Sequence, residues 1–446
     1  MRAGWYTHGP VTAVLPMVFP ALALTTLIGL PLYAWRVRGR AYAIFGLVVL
    51  AIALPGALLM HPRLVALLPR PLAPVLHGIF AYAMAAACTH LVGLVQARLR
   101  PRLFRWAISI PGMCFIATGA LSGLWLLAML PVRGLAMVAG WTSLLDALRW
   151  LDVLPFAIGI ASVATSAGTR EEIVRIPLDR EAHPTFTRVP VERRRPTRAA
   201  PATAERPLRI VQITDPHLGP WQPVHRLQRR LERLVAHDPD LVLLTGDLLT
   251  MEGAGTPGAL ARALAPLAPV SERCYAVLGN HDHEALHEVR HGLAATGIRL
   301  LVDDEAVAAT PLGPVQLLGA DWVARGHRDH LIALCERFPR RTAALRLLLL
   351  HDPLGFVHVP EGAADLVLSG HTHGGQLGLV SLGLDWTVLS RTRWPDHGLF
   401  AHGTNRLYVH RGTGFYGFPL RIGVPGEASV LEIVPVQPGN VSRAIA

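Results

Sequence analysis

The sequence predicts an N-terminal all-α multi-span membrane region followed by a C-terminal mixed α/β sandwich. Three observations predict this. Four apolar runs, residues 11–35, 41–60, 72–95 and 107–130, open the chain, and each reaches the roughly 20 residues that a spanning helix needs. From residue 208 onward, short apolar runs alternate with helix-like stretches, the pattern of βαβ units. The net charge of +11 divides unevenly, with +10 in residues 1–168 and −2 in residues 208–446.

The positive charge therefore lies among apolar segments, where it suits membrane loops. The slightly acidic second half offers no electrostatic footprint for nucleic acid, so no nucleic-acid partner is expected. The chain is 51% hydrophobic and 16% charged, against ~25% charged in ordinary soluble domains, which excludes intrinsic disorder and a coiled coil. Every basic residue is Arg. The four cysteines, Cys88, Cys114, Cys274 and Cys335, form no CxxC pair. That excludes a zinc knuckle and a disulfide framework and leaves buried free thiols.

The fifth stretch, residues 134–168, carries Asp146, Arg149 and Asp152 and is interrupted by Pro155. Its last part, 153–167, is apolar but short, and reads as a fifth span or an interfacial helix. Arginine placement chooses between them. One loop holds Arg36, Arg38 and Arg40, another holds Arg98, Arg100, Arg102 and Arg105, and the loop between them holds only Arg63 and Arg70. The positive-inside rule puts the two richer loops in the cytoplasm. Five spans then bring the Arg-rich stretch after Gly168 to the same side. The expectation is a multi-pass protein of the cell (inner) membrane, with residues 1–168 forming four clear spans and a fifth, and the second half on the cytoplasmic face. His77 and His90 lie in the third run. With no acidic partner in the four clear spans, they are expected as neutral imidazoles paired with a neighbouring helix or placed near a membrane edge.

Residues 169–207 carry Pro at 177, 184, 190, 196, 201 and 207, a density that argues against a helix. An Arg/Pro-rich linker is expected there, either a solvated connector or, through Arg193, Arg194 and Arg195, a contact for anionic head groups. Beyond it, strands are expected at 209–214, 241–245, 275–278, 300–302, 315–318, 345–350, 366–369, 407–409 and 430–434, with helices at 223–236 and 259–267. Runs without polar alternation indicate sheets covered on both faces.

The strand ends carry the chemistry. They read Thr214-Asp215-Pro216-His217, then Thr245-Gly246-Asp247, then Gly279-Asn280-His281-Asp282, then Leu350-His351-Asp352, then Ser369-Gly370-His371-Thr372-His373-Gly374-Gly375-Gln376. In open α/β sheets, sites form beyond the carboxyl ends of strands. One Gly-Asp would as readily cap a strand; five such ends in order would not. Imidazole, carboxylate and amide oxygen without thiolate suit Mn, Fe or Zn. Seven candidate ligands are too many for one ion and suit two, which form a clamp for in-line displacement at phosphorus. One carboxylate must bridge such a pair, and Asp247 is central in the order. A bridging water of lowered pKa is then the nucleophile.

In this order, D-x-H, G-D, G-N-H-D, H and G-H-T-H resemble the calcineurin-like metallophosphoesterase superfamily. GHTHGGQ and the late segment 411–427 are similar to its membrane-anchored or exported bacterial branch. The resemblance covers about residues 208–434 and implies an α/β four-layer sandwich with two mixed β-sheets, with 208–446 as the catalytic domain. It implies that Asp215, His217 and His373 hold one divalent ion with Asp247. Asn280, His351 and His371 hold the second with the same bridging Asp247. Mn is the first expectation for both ions, with Fe or Zn as alternatives. It further implies that His281 meets the phosphate and protonates the leaving oxygen, with Asp282 orienting that ring. Pro216 stands where the family more often has Leu or Thr, Thr214 where Ser is common, and Gly426 in place of the second Pro of a Pro-Pro-Glu. None of these departures removes a ligand, so an active enzyme is expected.

Around the site, Trp221, the apolar loop 378–395, and Phe415, Tyr416 and Phe418 invite two readings: a cradle for an acyl chain or the bilayer interface, or a satellite core. His283, His287 and His291 would line a solvated helix face. Arg391, Arg393, Arg411 and Arg421 are phosphate-clamp candidates, with Arg411 preferred because it follows the last strand before the final loop. The expected function is a membrane-anchored dinuclear-metal phosphoesterase that hydrolyses a phosphodiester or pyrophosphate bond by attack of a metal-bridging hydroxide. Its partners are the lipid bilayer and a phosphoester substrate, lipid-linked and amphiphilic or soluble. The alternative is a membrane transport or sensor protein with a regulatory phosphoesterase domain, whose mark would be paired charged residues within the spans.

Overall fold

The computed structural model describes residues 10–179, 181–196, 206–342, 344–415, 417 and 419–435. The chain divides into two units. The first runs to Ala164 and takes in Gly417–Leu420; the second starts at Thr165.

The first unit is helical. Among the described residues, five helices are long and apolar enough to cross a membrane: Val14–Arg38, Arg40–Leu67, Arg70–Val95, Arg102–Val138 and Thr142–Ala167. The fifth, expected from arginine placement, is present with a one-turn 3-10 break at Leu151–Val153. Small residues let the second and fourth helices touch backbone to backbone. A Cβ at Gly56 would stand 2.1 Å from the Gly119 carbonyl oxygen and 2.3 Å from the Gly123 nitrogen, the close approach that a Gly-x-x-x-Gly step permits. His77 does pair with a neighbouring helix, its Nδ1 lying 2.9 Å from His61 Nε2. The break holds the buried Asp152, which accepts from Trp125 Nε1 at 3.0 Å and pairs with Arg133 and, at 3.4 Å, with Arg63.

Among its described residues the second unit has fourteen strands: β1 (Thr169–Leu178), β2 (His183–Val189), β3 (Glu192–Arg194), β4 (Leu208–Ile213), β5 (Leu241–Thr245), β6 (Cys274–Val277), β7 (Arg299–Leu300), β8 (Asp304–Thr310), β9 (Gly313–Gly319), β10 (Leu345–Leu349), β11 (Leu366–Ser369), β12 (Gly398–Gly403), β13 (Asn405–Val409) and β14 (Gly426–Pro435). They form two mixed seven-stranded sheets, ordered β3-β1-β14-β4-β5-β6-β7 and β2-β12-β13-β11-β10-β9-β8. The inner faces meet in one core, with Val174, Ile210, Leu243 and Val277 from the first sheet against Leu317, Leu349, Leu368 and Tyr408 from the second. Helices cover the outer sides. Leu331 and Leu334 of helix His327–Arg337 pack with Leu348, Val367 and Val409, and helix Val224–Val235 buries Leu227, Leu231 and Leu234. Strands β4, β5 and β6 run parallel, as do β9, β10, β11 and β13. Their carboxyl ends therefore lie along one edge of each sheet.

The linker expected over 169–207 is corrected in its described part. β1 pairs with β14 in parallel over its whole length, from Thr169↔Gly426 to Leu178↔Pro435. β2 joins β12 at the edge of the other sheet. Proline density argues against a helix but tolerates edge strands. Pro177 lies beyond the reach of β3, which pairs only with Ile173–Arg175, and keeps register with Val434 of β14. Pro184 sits on the outermost strand. Residues 197–205 lie outside the described residues.

Candidate metal centre

Five loops leave the carboxyl ends of β4, β5, β6, β10 and β11 and bring the expected ligands together. Asp215, His217 and His373 form one group, and Asp247, His351 and His371 a second; within each, one ligand atom per residue lies within 4.8 Å of the others. Asp247 stands between the groups, its Oδ2 lying 3.8 Å from His217 Nε2 and 3.4 Å from His351 Nε2. His217 and His373 approach Nε2 to Nε2 at 3.2 Å, and His371 Nδ1 approaches His351 Nε2 at 3.2 Å.

The backbone is strained to achieve this. Asp215, His217, Asp247, His371 and His373 all have φ between 45° and 69°, the left-handed region that non-glycine residues seldom occupy. They are five of the eight such residues among those described. Residues held in this region cost of order 1–3 kcal/mol each and cluster at functional sites. Two glycines make the crowding feasible. A Cβ at Gly279 would lie 2.2 Å from Asp247 Oδ1, and one at Gly370 would lie 2.3 Å from Asp215 Oδ2.

Supporting bonds fix each ligand. Thr214 Oγ1 and the His371 N–H donate to Asp215 Oδ2 at 2.7 and 3.0 Å, tying the two sheets' loops together. The His281 N–H donates to Asp247 Oδ1 at 2.9 Å. His351 Nδ1 lies 2.7 Å from the Thr245 carbonyl, which as acceptor directs Nε2 inward. Burial lowers His217 to about 3 and His371 to about 4, and holds His373 well below its ordinary range. These are neutral imidazoles, the form that binds metal. Burial pushes Asp215 up to about 6. Burial also opposes ionisation of Asp247, but His351 beside it outweighs this and holds it below the usual carboxylate range. Asn280 Oδ1 is buried with no hydrogen-bond partner among the described residues. Against burial, Asp247 pushes His351 up to about 10, so that ring must give up its proton to a cation; an orphaned amide oxygen beside four imidazoles and two carboxylates is a donor set that fits divalent cations.

Two expected roles are corrected. Asp282 is fully buried, and its carboxylate accepts the N–H groups of Asp247 (2.7 Å), Leu248 (2.8 Å) and Gly279 (2.9 Å). It fixes the Asp247 loop; the carboxylate facing His281 Nδ1 is Glu284, at 3.2 Å. Arg411 and Arg421 are fully buried rather than presented to a phosphate. Arg411 pairs with Glu172 at 2.8 Å and Glu427 at 3.2 Å. Arg421 donates to the carbonyls of Arg411 (2.8 Å) and Gly414 (2.6 Å) and lies 3.1 Å from His373 Nδ1. Sequence order gave no sign of these struts, because Glu172 sits in the stretch read as a linker.

A cavity of about 970 Å³ opens beside the second group, with Asn280, His371, Arg393, Trp394, Trp322 and Phe186 among its lining. Trp394 stacks on His371 at 5.4 Å. Trp221 and Phe415 pack on each other and are buried, so for them the satellite-core reading holds; Tyr416 and Phe418 lie outside the described residues. His283 is not on the helix face with the other two: it lies in the 3-10 turn before the helix and bonds Asp321 at 2.9 Å, whereas the His287 side chain is 90% exposed, as a solvated helix face requires.

Comparison with known proteins agrees with this geometry. Residues 208–375 match the family model for calcineurin-like phosphoesterases. The chain is 31% identical over 234 residues to phosphodiesterase YaeI of Escherichia coli (strain K12), covering 51% of this chain and 83% of that one. It is 31% identical to an uncharacterized metallophosphoesterase of Helicobacter pylori (strain J99 / ATCC 700824), covering 52% and 61%. It is also 31% identical to a transmembrane protein with metallophosphoesterase domain of Danio rerio, covering 49% and 52%. The chain thus spans only about half to three fifths of the latter two relatives. With its ligand-bearing strand ends and its membrane-length helices, the chain belongs to the calcineurin-like phosphoesterase family.

Proposed function

We propose that this protein is a membrane-anchored phosphoesterase that holds two divalent ions, Mn foremost, and hydrolyses a phosphodiester or pyrophosphate bond, with an amphiphilic, lipid-linked substrate as its preferred class. The observation that carries the reading is the pair of ligand groups with Asp247 between them. Bound there, the ions would supply Lewis acidity and a water of lowered pKa. Asp215, His217, His373 and Asp247 hold the first ion, and Asn280, His351, His371 and Asp247 the second. His281, a quarter exposed and next to the cavity-lining Asn280, meets the phosphate and gives a proton to the leaving oxygen, with Glu284 facing its other ring nitrogen. Asp282 acts by holding the Asp247 loop. The aromatic walls of the cavity suit an apolar leaving group. Arginine placement along the five helices favours the cytoplasmic face of the inner membrane for the second unit.

The test is hydrolysis by the full chain in detergent, stripped of metal and restored with Mn, Fe or Zn, on bis(p-nitrophenyl) phosphate and on p-nitrophenyl phosphate. The full chain is used because a cut at residue 208 would remove β1, β2 and β3, leaving β14 and β12 without their outer partners. Diesterase activity that needs a divalent ion supports the reading, and activity unaffected by chelation sinks it.

One observation favours the transport or sensor reading, the buried Asp152 with Arg133 and Arg63. Intramembrane ionisable groups are functional candidates by default. Here two guanidiniums and an indole N–H satisfy one carboxylate at a helix break, which equally serves as a helix tie. Uptake by proteoliposomes that vanishes in Asp152→Asn would favour transport.

A further inference from the structure

We propose that the loop from Leu379 to Val388 docks into the head-group region of the bilayer, so that the sandwich unit touches the membrane through a second element besides its covalent connection. This goes beyond the phosphoesterase reading and does not depend on any substrate.

The loop is ordered yet turns its apolar side chains outward. Its base is closed by backbone bonds, Leu379 N–H to Trp386 O at 2.8 Å and Val388 N–H to Leu377 O at 2.9 Å. Its tip is closed by Leu382 N–H to Leu379 O at 2.9 Å. Even so, Leu379 is 38% exposed, Leu382 75%, Leu384 52%, Trp386 46% and Val388 43%. The inward-facing residue is polar, Thr387, which bonds Asp396 at 2.6 Å. A satellite core would bury the leucines and expose the threonine; this loop does the reverse. Leucines around a Trp form the apolar payload of interfacial segments.

Two further facts name the bilayer as occupant. The first is chain connectivity. Ser381 Oγ accepts from Arg170 Nη2 at 3.3 Å, and Arg170 stands three residues after Ala167, the last residue of the fifth candidate span. At ~3.3–3.6 Å per residue, that backbone position is within about 10 Å of the helix end. The second is charge. Arg391 and Arg393 follow the loop, are exposed, and have no ion-pair partner among the described residues, whereas Asp385 is the only acid between Leu377 and Arg393. An apolar tip flanked by unpaired arginines is complementary to anionic lipid.

The experiment places one cysteine at a time in a full-length chain whose four native cysteines are replaced by alanine, labels it with an environment-sensitive dye, and reconstitutes it in phosphatidylethanolamine/phosphatidylglycerol nanodiscs with or without nitroxide-labelled lipid. Leu382→Cys and Leu384→Cys are the reporters. Leu312→Cys, 45% exposed in the turn after β8, is the control. The expected result is a blue-shifted dye and several-fold stronger lipid quenching at 382 and 384 than at 312. Equal quenching at reporters and control overturns the proposal. A blue shift without lipid quenching that grows with protein concentration assigns the loop to a second copy of the chain and overturns it too. Because the readout is depth and not turnover, a failed reporter leaves the phosphoesterase reading standing.

Discussion

In the helical unit the residues hidden from solvent are mostly apolar or small, such as Phe19, Leu50, Met60 and Met84, while Leu24, Ile52 and Leu124 face outward, each more than half exposed. In the sandwich unit the inter-sheet core is as apolar, but the ends of its strands bury Asp215, His217, Asp247, His351 and His373 side by side. The contrast follows from what each unit can use as solvent. A helix satisfies its own backbone and can leave apolar side chains to lipid. A sheet leaves its strand-end loops to find partners, and here those partners are ligand side chains held at left-handed φ. Stability and chemistry therefore sit in different places: in small-residue contacts in the first unit, and in strained polar loops in the second.

The change that should break this contrast most completely is Asp247→Ala. It removes the carboxylate that lies between the two candidate ligand groups, 3.8 Å from His217 Nε2 and 3.4 Å from His351 Nε2. Diesterase activity should fall by more than about 100-fold, the upper end of what losing a mere supporting residue costs. Bound metal, measured by elemental analysis, should fall in both groups. Retention of full metal content with activity lost would show that Asp247 does not bridge. Gly279→Ala is the subtler version. Its new Cβ would lie 2.2 Å from Asp247 Oδ1 and 2.5 Å from Asp247 N, so the carboxylate must move without being deleted. A loss of about 10–100-fold in metal affinity is expected, and unchanged affinity would mean that the loop is softer than its φ values indicate.

These two positions also mark how far the sequence could be read. The meeting of the candidate ligands was legible because Asp, Asn and His end five apolar runs in order, and strand ends are where such residues can meet. Four helical spans were legible from apolar length alone, since a lipid-facing helix needs no periodicity, and the fifth from arginine placement. The left-handed backbone at five candidate ligands was not, because Asp and His carry no local signal for positive φ. β1 and β2 were not legible because proline density, with Pro177 and Pro184 among it, marks a connector as readily as edge strands and excludes only helix. β8, with Ala306, Ala308 and Ala309, and β12, bounded by Gly398 and Gly403, lack the β-branched runs that announce a strand. Glu284 facing His281 is a local i,i+3 pair, whereas Arg421 beneath His373 is a tertiary fact with no local signature.

Gly56→Leu probes the other side of the contrast. The side chain would enter the Gly119–Gly123 backbone. Overpacking costs typically 1–3 kcal/mol, and a backbone-to-backbone contact has little room to relax. The thermal midpoint of the helical unit in detergent should fall, while turnover of a water-soluble diester by the sandwich unit stays unchanged. Lost turnover would show that the helices help shape the metal centre.

The smallest expected effect concerns a polar pair far in sequence from any ligand. His330 Nε2 lies 2.7 Å from Asp303 Oδ1. The hydrogen bond to Asp303, more than offsetting burial, raises the His330 pKa, and the same bond, against burial, lowers that of Asp303. A raised imidazole pKa contributes stability that is fully present below the unfolded value of about 6.5 and lost as pH climbs through the folded value. A lowered carboxylate pKa contributes stability present above about 3.9 and lost as pH falls through the folded value. The pair should therefore help most between those limits. Asp303 is 39% exposed, so solvent screening limits the worth to a few tenths of a kcal/mol up to about 1 kcal/mol. That corresponds to at most about 2–4 °C in the thermal midpoint of a unit this size. His330→Ala should lower the midpoint at pH 5.5 and change it less at pH 8, with the helical unit unaffected at either. An equal drop at both pH values would assign the loss to packing of helix His327–Arg337 against its sheet instead of to charge. The pair would then belong with the apolar side of the contrast, alongside Leu331 and Leu334.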